Sequence, residues 1–203
     1  MIAIVNYEAG NLTSVSRALS HLGLTSKITD NHAEILKADR VIFPGVGAAG
    51  KAMQVIREKG LDEVLEEVVS KGTPFLGICL GTQVILDESE EGNTKCLGLI
   101  SGKAKRFPLM GLKIPHMGWN NIELTREHPV FKDINERAQF YFVHSFYPDT
   151  EDNKSVVAWT DYGITFASVI AKGNIVATQF HPEKSGREGL KILSNFNKWD
   201  GTE

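Results

Sequence analysis

The chain has 203 residues, 42% of them hydrophobic, enough to bury a substantial core without disulfides or metals. Twenty-two Lys and Arg against 25 Asp and Glu leave a formal charge of −3, which offers no basic field for a nucleic-acid backbone. Two cysteines without C-x-x-C spacing exclude a disulfide framework and a cysteine-ligated metal site, and no run approaches the ~18 apolar residues of a membrane helix. The opening MIAIVNYEAG lacks the basic start and cleavage site of a secretory signal. The expectation is one domain, 1–203, in the cytoplasm.

In chain order, the first ninety residues alternate between two hydrophobic periods. IAIV (2–5) predicts a strand. Asn11 predicts a helix cap, followed by Leu12, Val15, Ala18, Leu19 and Leu22 at helical spacing and Gly23 as a stop. LTSKI (24–28) predicts a second strand, Asn31 to Glu34 a capping box opening a short helix, and RVIF (40–43) a third strand ending in PGVG. Residues 51–71 predict helix in two pieces broken at Gly60, PFLGI (74–78) a buried strand, and 80–86 a helix. Short apolar strands separated by helices imply a parallel sheet covered on both faces. From about residue 95 the pattern changes to strand candidates: LGLIS, KAKRF, GLKIP, WNNIEL, FYFVHSF, SVVAW, ITFASVI and NIVATQF. These are expected to extend the sheet as antiparallel hairpins. Ser185 to Glu188 repeats the capping-box pattern ahead of a last helix through Ile192, Leu193, Phe196 and Trp199.

Ligands in open α/β sheets bind at the carboxyl ends of strands, and Cys79 falls at such an end. Gly77-x-Cys79-x-Gly81 is the cysteine form of the nucleophile elbow, a sharp strand-to-helix turn whose small flanking residues allow close backbone approach. The helix start just beyond Cys79 favours the thiolate, and the Leu80 amide could face a developing oxyanion. A packed core cysteine would need no such frame. A thiol nucleophile also needs a base and an orienting group, and TQFHPEKS offers His181 with Glu183 two residues on, across Pro182.

The third element is FPGVGAAG (43–50). Gly45, Gly47 and Gly50 match the dinucleotide fingerprint, but the motif follows the third strand, Pro44 interrupts the turn, and the next strand ends in LGIC without an acidic residue for a ribose. A backbone loop whose amides around Val46 and Gly47 complete an oxyanion hole fits better. No cofactor and no metal are expected.

With GICLGTQ, HPE and this loop in view, the chain resembles the class I, or triad, glutamine amidotransferases. NYEAGNL, PGVGAAG, PHMGWN, YFVHSFY and HPEKS, in that order, resemble the branch formed by glutaminase subunits of imidazole glycerol phosphate synthases, over essentially the whole chain. The resemblance implies a three-layer α/β/α fold with a central, mostly parallel sheet extended by antiparallel strands. It also implies hydrolysis of L-glutamine by a Cys79–His181–Glu183 triad through a glutamyl thioester. Gly45, Gly47, Gln83, His144 and Ser145 would hold the substrate. The implied partner is a (β/α)8 cyclase subunit that takes the ammonia in histidine biosynthesis, met near Asn11, Trp119, Tyr141 and Lys184. A stand-alone cysteine hydrolase of γ-glutamyl substrates, or an amidotransferase serving another synthase, would use the same triad.

Outside these motifs, Cys96 lacks a glycine frame and a nearby base and is expected to be structural. His21, His32 and His128 are expected to be solvated, whereas His116 and His144 lie within motifs. DESEEG (87–92) is expected to be an exposed turn.

Overall fold

The computed structural model describes residues 1–8, 11–109 and 111–202, so two residues of NYEAGNL lie outside the described residues. β1 (Ile2–Val5) is buried at every position, as a strand covered on both faces must be. α1 (Leu12–His21) follows and buries Val15, Ala18 and Leu19, one stripe at helical spacing. β2 (Ser26–Thr29) leads to α2 (His32–Leu36), which opens with the Asn31 side chain accepting from the Glu34 amide at 3.1 Å. The box is only half made, because the Glu34 carboxylate accepts from Lys27 and Thr29 instead. β3 (Arg40–Gly45), α3 (Ala49–Glu58), α4 (Leu61–Ser70), β4 (Phe75–Cys79) and α5 (Leu80–Val84) complete this half. Gly60, at φ 62°, makes the expected break between α3 and α4.

The second half contains β5 (Glu88–Ser89), β6 (Thr94–Lys95), β7 (Gly102–Arg106), β8 (His116–Asn121) and β9 (Glu123–Leu124). β10 (Gln139–His144), β11 (Phe146–Thr150), β12 (Val156–Asp161), β13 (Thr165–Lys172) and β14 (Ile175–Thr178) then precede α6 (Gly186–Lys198). The main sheet has eight strands in the order β2-β1-β3-β4-β14-β13-β12-β9. β2 through β14 run parallel, and the last three are antiparallel. Alternate strand residues face opposite layers: Ala3, Val5, Val41 and Phe43 pack with α3 and α4, while Ile2, Ile4, Ile42 and Leu76 pack with α1 and α6. The three-layer expectation is met. No helix among the described residues is long and apolar enough to cross a membrane.

Several local expectations are corrected. LGLIS is a loop, because the amides of Leu97, Gly98 and Leu99 cap the end of α5 by donating to the carbonyls of Val84, Leu86 and Ile85 at 2.8–2.9 Å. GLKIP is also irregular and ends in a cis Ile114–Pro115 bond. FYFVHSF is divided at Ser145 between β10 and β11, which pair with β8 and β7 in two smaller sheets instead of extending the large one. DESEEG contains β5 and a short helical turn, with Ser89 buried. Asn11 and Ser185 stand at helix starts, yet neither side chain caps its helix. Both are drawn to the loop after β14. The Asn11 amide donates to Glu183, and Ser185 Oγ donates to the His181 carbonyl at 2.6 Å while accepting from the Tyr141 amide at 3.0 Å.

Candidate active site

Because β3, β4 and β14 are parallel neighbours, their carboxyl ends emerge together, with Gly45 opposite Cys79 and Ile78 opposite Thr178. Cys79 holds φ 55° and ψ −105°, a conformation rarely adopted by a side-chain-bearing residue and found at strained functional turns. Its glycine frame has a steric cause. A Cβ on Gly81 would lie 1.9 Å from the Phe43 carbonyl oxygen, and one on Gly77 would lie 2.9 Å from Ala177 Cβ. Only glycines let α5 sit this closely on β3 and β4.

His181 follows β14, where the turn Pro182–Lys184 brings Glu183 back beneath its ring. His181 Nδ1 and Glu183 Oε1 are 2.8 Å apart, with 2% and 0% of the two side chains exposed. This bond assigns the Nδ1 proton and leaves Nε2, buried without an oxygen or nitrogen partner, for the cysteine. Burial disfavours a charged ring, but Cys79 and Glu183 outweigh it and raise His181 to about 10. Glu183 Oε1 also accepts from Asn11, so Asn11 orients the orienting group.

Beside the triad lies an open cavity of about 330 Å³ whose wall includes Cys79, Val46, Gly47, Leu80, Gln83, His144 and Ser145. All the expected oxyanion and substrate positions meet there except Gly45. Gly45 lies buried beneath the loop, where a Cβ would collide with the Tyr7 hydroxyl. Gly47, at φ 105°, has a backbone conformation that side chains resist. The fingerprint reading loses Gly50, which lies inside α3.

The residues expected at a partner face gather elsewhere. Trp119 is 54% exposed, its ring 6.1 Å from that of Tyr141, and Lys184 Nζ lies 5.7 Å from the Tyr141 ring. Asn11 is bound to Glu183, the residue before Lys184.

Sequence reasoning missed Glu91 and Gln179. Among the described residues Glu91 is the only carboxylate on the cavity wall, and it accepts from the Ala49 amide at 2.7 Å. It was hidden in an acidic run of ordinary surface composition. Gln179 is fully buried and directs its amide to Cys79 Sγ at 3.7 Å; its place beside His181 was the available signal. His128 corrects another expectation. It is buried, its Nδ1 caps the 129–131 turn at 3.2 Å, and burial pushes it down to about 4. Cys96 is buried, which pushes its thiol up to about 11. Among the described residues no three His, Cys, Asp or Glu side chains are grouped to hold a metal.

Comparison with known proteins converges on the same chemistry. The family model described as glutamine amidotransferase class-I matches residues 3–199. Imidazole glycerol phosphate synthase subunit HisH of Dehalococcoides mccartyi is 49% identical over 199 residues, covering 98% of this chain and 97% of that one. The protein of the same name from Methanosarcina acetivorans is 51% identical over 199 residues, covering 96% of each. A crystallised glutamine amidotransferase aligns over 100% of both chains with a TM-score of 0.74 at 19% identity, a likeness of fold alone. Identity near one half along almost the entire length is far beyond what a shared fold requires, and this chain therefore belongs to the class I glutamine amidotransferases.

Proposed function

We propose that this chain hydrolyses L-glutamine to L-glutamate and ammonia, as the glutaminase subunit of an imidazole glycerol phosphate synthase. The observation that carries the chemistry is the His181 ring, bound to Glu183 on one side and electrostatically coupled to Cys79 on the other, beside a cavity wide enough for an amino acid. The Cys79 thiolate attacks the side-chain amide carbon. Amides at Val46, Gly47 and Leu80 stabilise the resulting oxyanion, each donor contributing on the order of a hundredfold in rate. His181 passes its Nε2 proton to the departing nitrogen, the C–N bond breaks, and ammonia leaves a glutamyl thioester. Water then attacks the thioester with His181 as base, releasing glutamate and restoring the thiol. Gln83, His144 and Ser145 orient the substrate, and the Glu91 carboxylate suits its α-ammonium.

Ammonia released into water is protonated and loses its nucleophilicity, so its user must be close. We infer a (β/α)8 cyclase subunit that uses it in histidine biosynthesis and docks on the outward face of β8 and β10. Met117 and Trp119 are 55% and 54% exposed there, with Tyr141 opposite Trp119 in the register. The edge of β10 away from β8 supports the idea: the Tyr141 carbonyl accepts the His181 amide at 3.0 Å, and the Val143 carbonyl is 3.9 Å from Cys79 Sγ. The docking face is thus one strand from the nucleophile.

The test is glutamate formation from L-glutamine by the chain alone and with cyclase and its ribonucleotide substrate. Production should rise strongly with the loaded partner and vanish in Cys79→Ala. Equal turnover with and without the partner would keep the triad and overturn the synthase assignment.

A further inference from the structure

A hydrogen-bond chain, buried at His116, His144, Gln83 and Gln179, runs from β8 to the nucleophile, and the chemistry of its members sets the direction of each link. The Phe146 carbonyl can only accept, so His144, with Nδ1 2.8 Å away, carries its proton there. His144 Nε2 is then an acceptor, and His116 Nδ1, at 3.0 Å, must be the donor. His116 Nε2 is left to accept from Asn120 Nδ2 at 3.4 Å. Asn120 is itself oriented, donating to the Asp161 carbonyl and accepting the Asn121 amide, both at 2.8 Å. Beyond Phe146, Gln83 Nε2 donates to the same carbonyl at 2.9 Å and to Gln179 Oε1 at 3.1 Å, and Gln179 Nε2 reaches Cys79 Sγ. Both protons of the Gln83 amide are therefore engaged, and its Oε1 is the atom offered to the cavity.

Burial pushes His116 down to about 4 and His144 to about 3, so at neutral pH each ring has one donor and one acceptor, as the chain requires. We propose that His116 and Gln179 are positioning residues: through this chain they hold the Gln83 carboxamide and the Cys79 sulfur in register and tie both to β8, the strand that presents Trp119. The proposal rests on the glutaminase reading. Without Gln179 the Gln83 amide loses one acceptor and is free to turn its NH₂ toward the substrate; without His116, buried His144 loses its donor, and the ring that shares the Phe146 carbonyl with Gln83 is no longer held in place.

His116 lies flat between Phe142 and Tyr162, with ring centroids at 4.9 and 4.0 Å, which permits a discriminating pair of variants. His116→Phe keeps the stacked ring and removes the bonds. His116→Asn fills the stack poorly but can place an amide donor where Nδ1 stands. In the complex with loaded cyclase, His116→Phe should lower kcat/KM for glutamine at least about tenfold with a raised KM, and His116→Asn should recover to within about threefold of wild type. The reverse order would mean that His116 serves packing only, and the proposal would fall. Gln179→Met, of similar length but without the amide, should show the same loss, and it decides the question if His116→Phe does not fold; near-wild-type kcat/KM in it overturns the proposal. Glutamate production that persists in Cys79→Ala would refute the glutaminase reading instead.

Discussion

At the residue scale, His181 is governed by opposed effects: burial resists its charge, while Cys79 and Glu183 stabilise it strongly enough to raise it to about 10. In the proposed mechanism protonation of the leaving nitrogen needs the charged ring, so activity should be lost as pH rises through the His181 value. Glu183→Gln removes one stabilising charge, which lowers that value and moves the alkaline limb of the pH–rate profile to lower pH. It should also reduce kcat by on the order of 10²- to 10⁴-fold. An alkaline limb that stays in place would show that Glu183 does not set the charge of His181. Cys79 and Glu183 were legible because the elbow and H-P-E are local patterns. Gln179 was not, because a buried glutamine just past the end of β14 has no local sign of its hydrogen-bond partners, which come from β4 and α5.

At the element scale, the elbow depends on α5 lying against β3 without a side chain between them. Gly81→Ala would set a methyl carbon 1.9 Å from a backbone oxygen that cannot rotate away, so β3 and α5 must separate. A loss of roughly 3 kcal/mol or more is expected in denaturant unfolding. Gly173→Ala, which meets nothing within 4 Å and only bears a positive φ, should lose about 1–2 kcal/mol. Equal losses would remove the close-approach explanation. The same contact logic accounts for the misread elements. LGLIS has the composition of a strand, but its amides are taken by the open end of α5, and its position is set by that helix. Asn11 and Ser185 have the composition of caps, but Glu183 and the His181 carbonyl compete for them across the fold.

At the scale of the whole molecule, β8 and β10 form a ribbon with two faces of different character. His116, Phe142 and His144 face the core, and Met117, Trp119 and Tyr141 face outward. Trp119→Ala should weaken cyclase binding by about 2 kcal/mol, roughly thirtyfold in Kd by calorimetric titration, while leaving the thermal midpoint nearly unchanged because the ring is mostly exposed. Unchanged affinity would put the docking face elsewhere. Composition treats Trp119 and a core tryptophan alike. Only the alternation of a ribbon covered on one side separates them.

The sequence by itself determined the layered α/β architecture, the elbow cysteine, the His–Glu pair and the glycine loop at the end of β3. Each depends on short-range pattern: apolar runs for strands buried on both faces, helical spacing for their covers, and glycines at a turn that admits no side chain. Tertiary structure alone decided which strands left the main sheet, which side chains abandoned their helix caps, and how His116, His144, Gln83 and Gln179 join β8 to Cys79. The physical reason is common to all three. Buried polar groups must find partners, and in this chain those partners are brought together by folding from segments as far apart as residues 11 and 183.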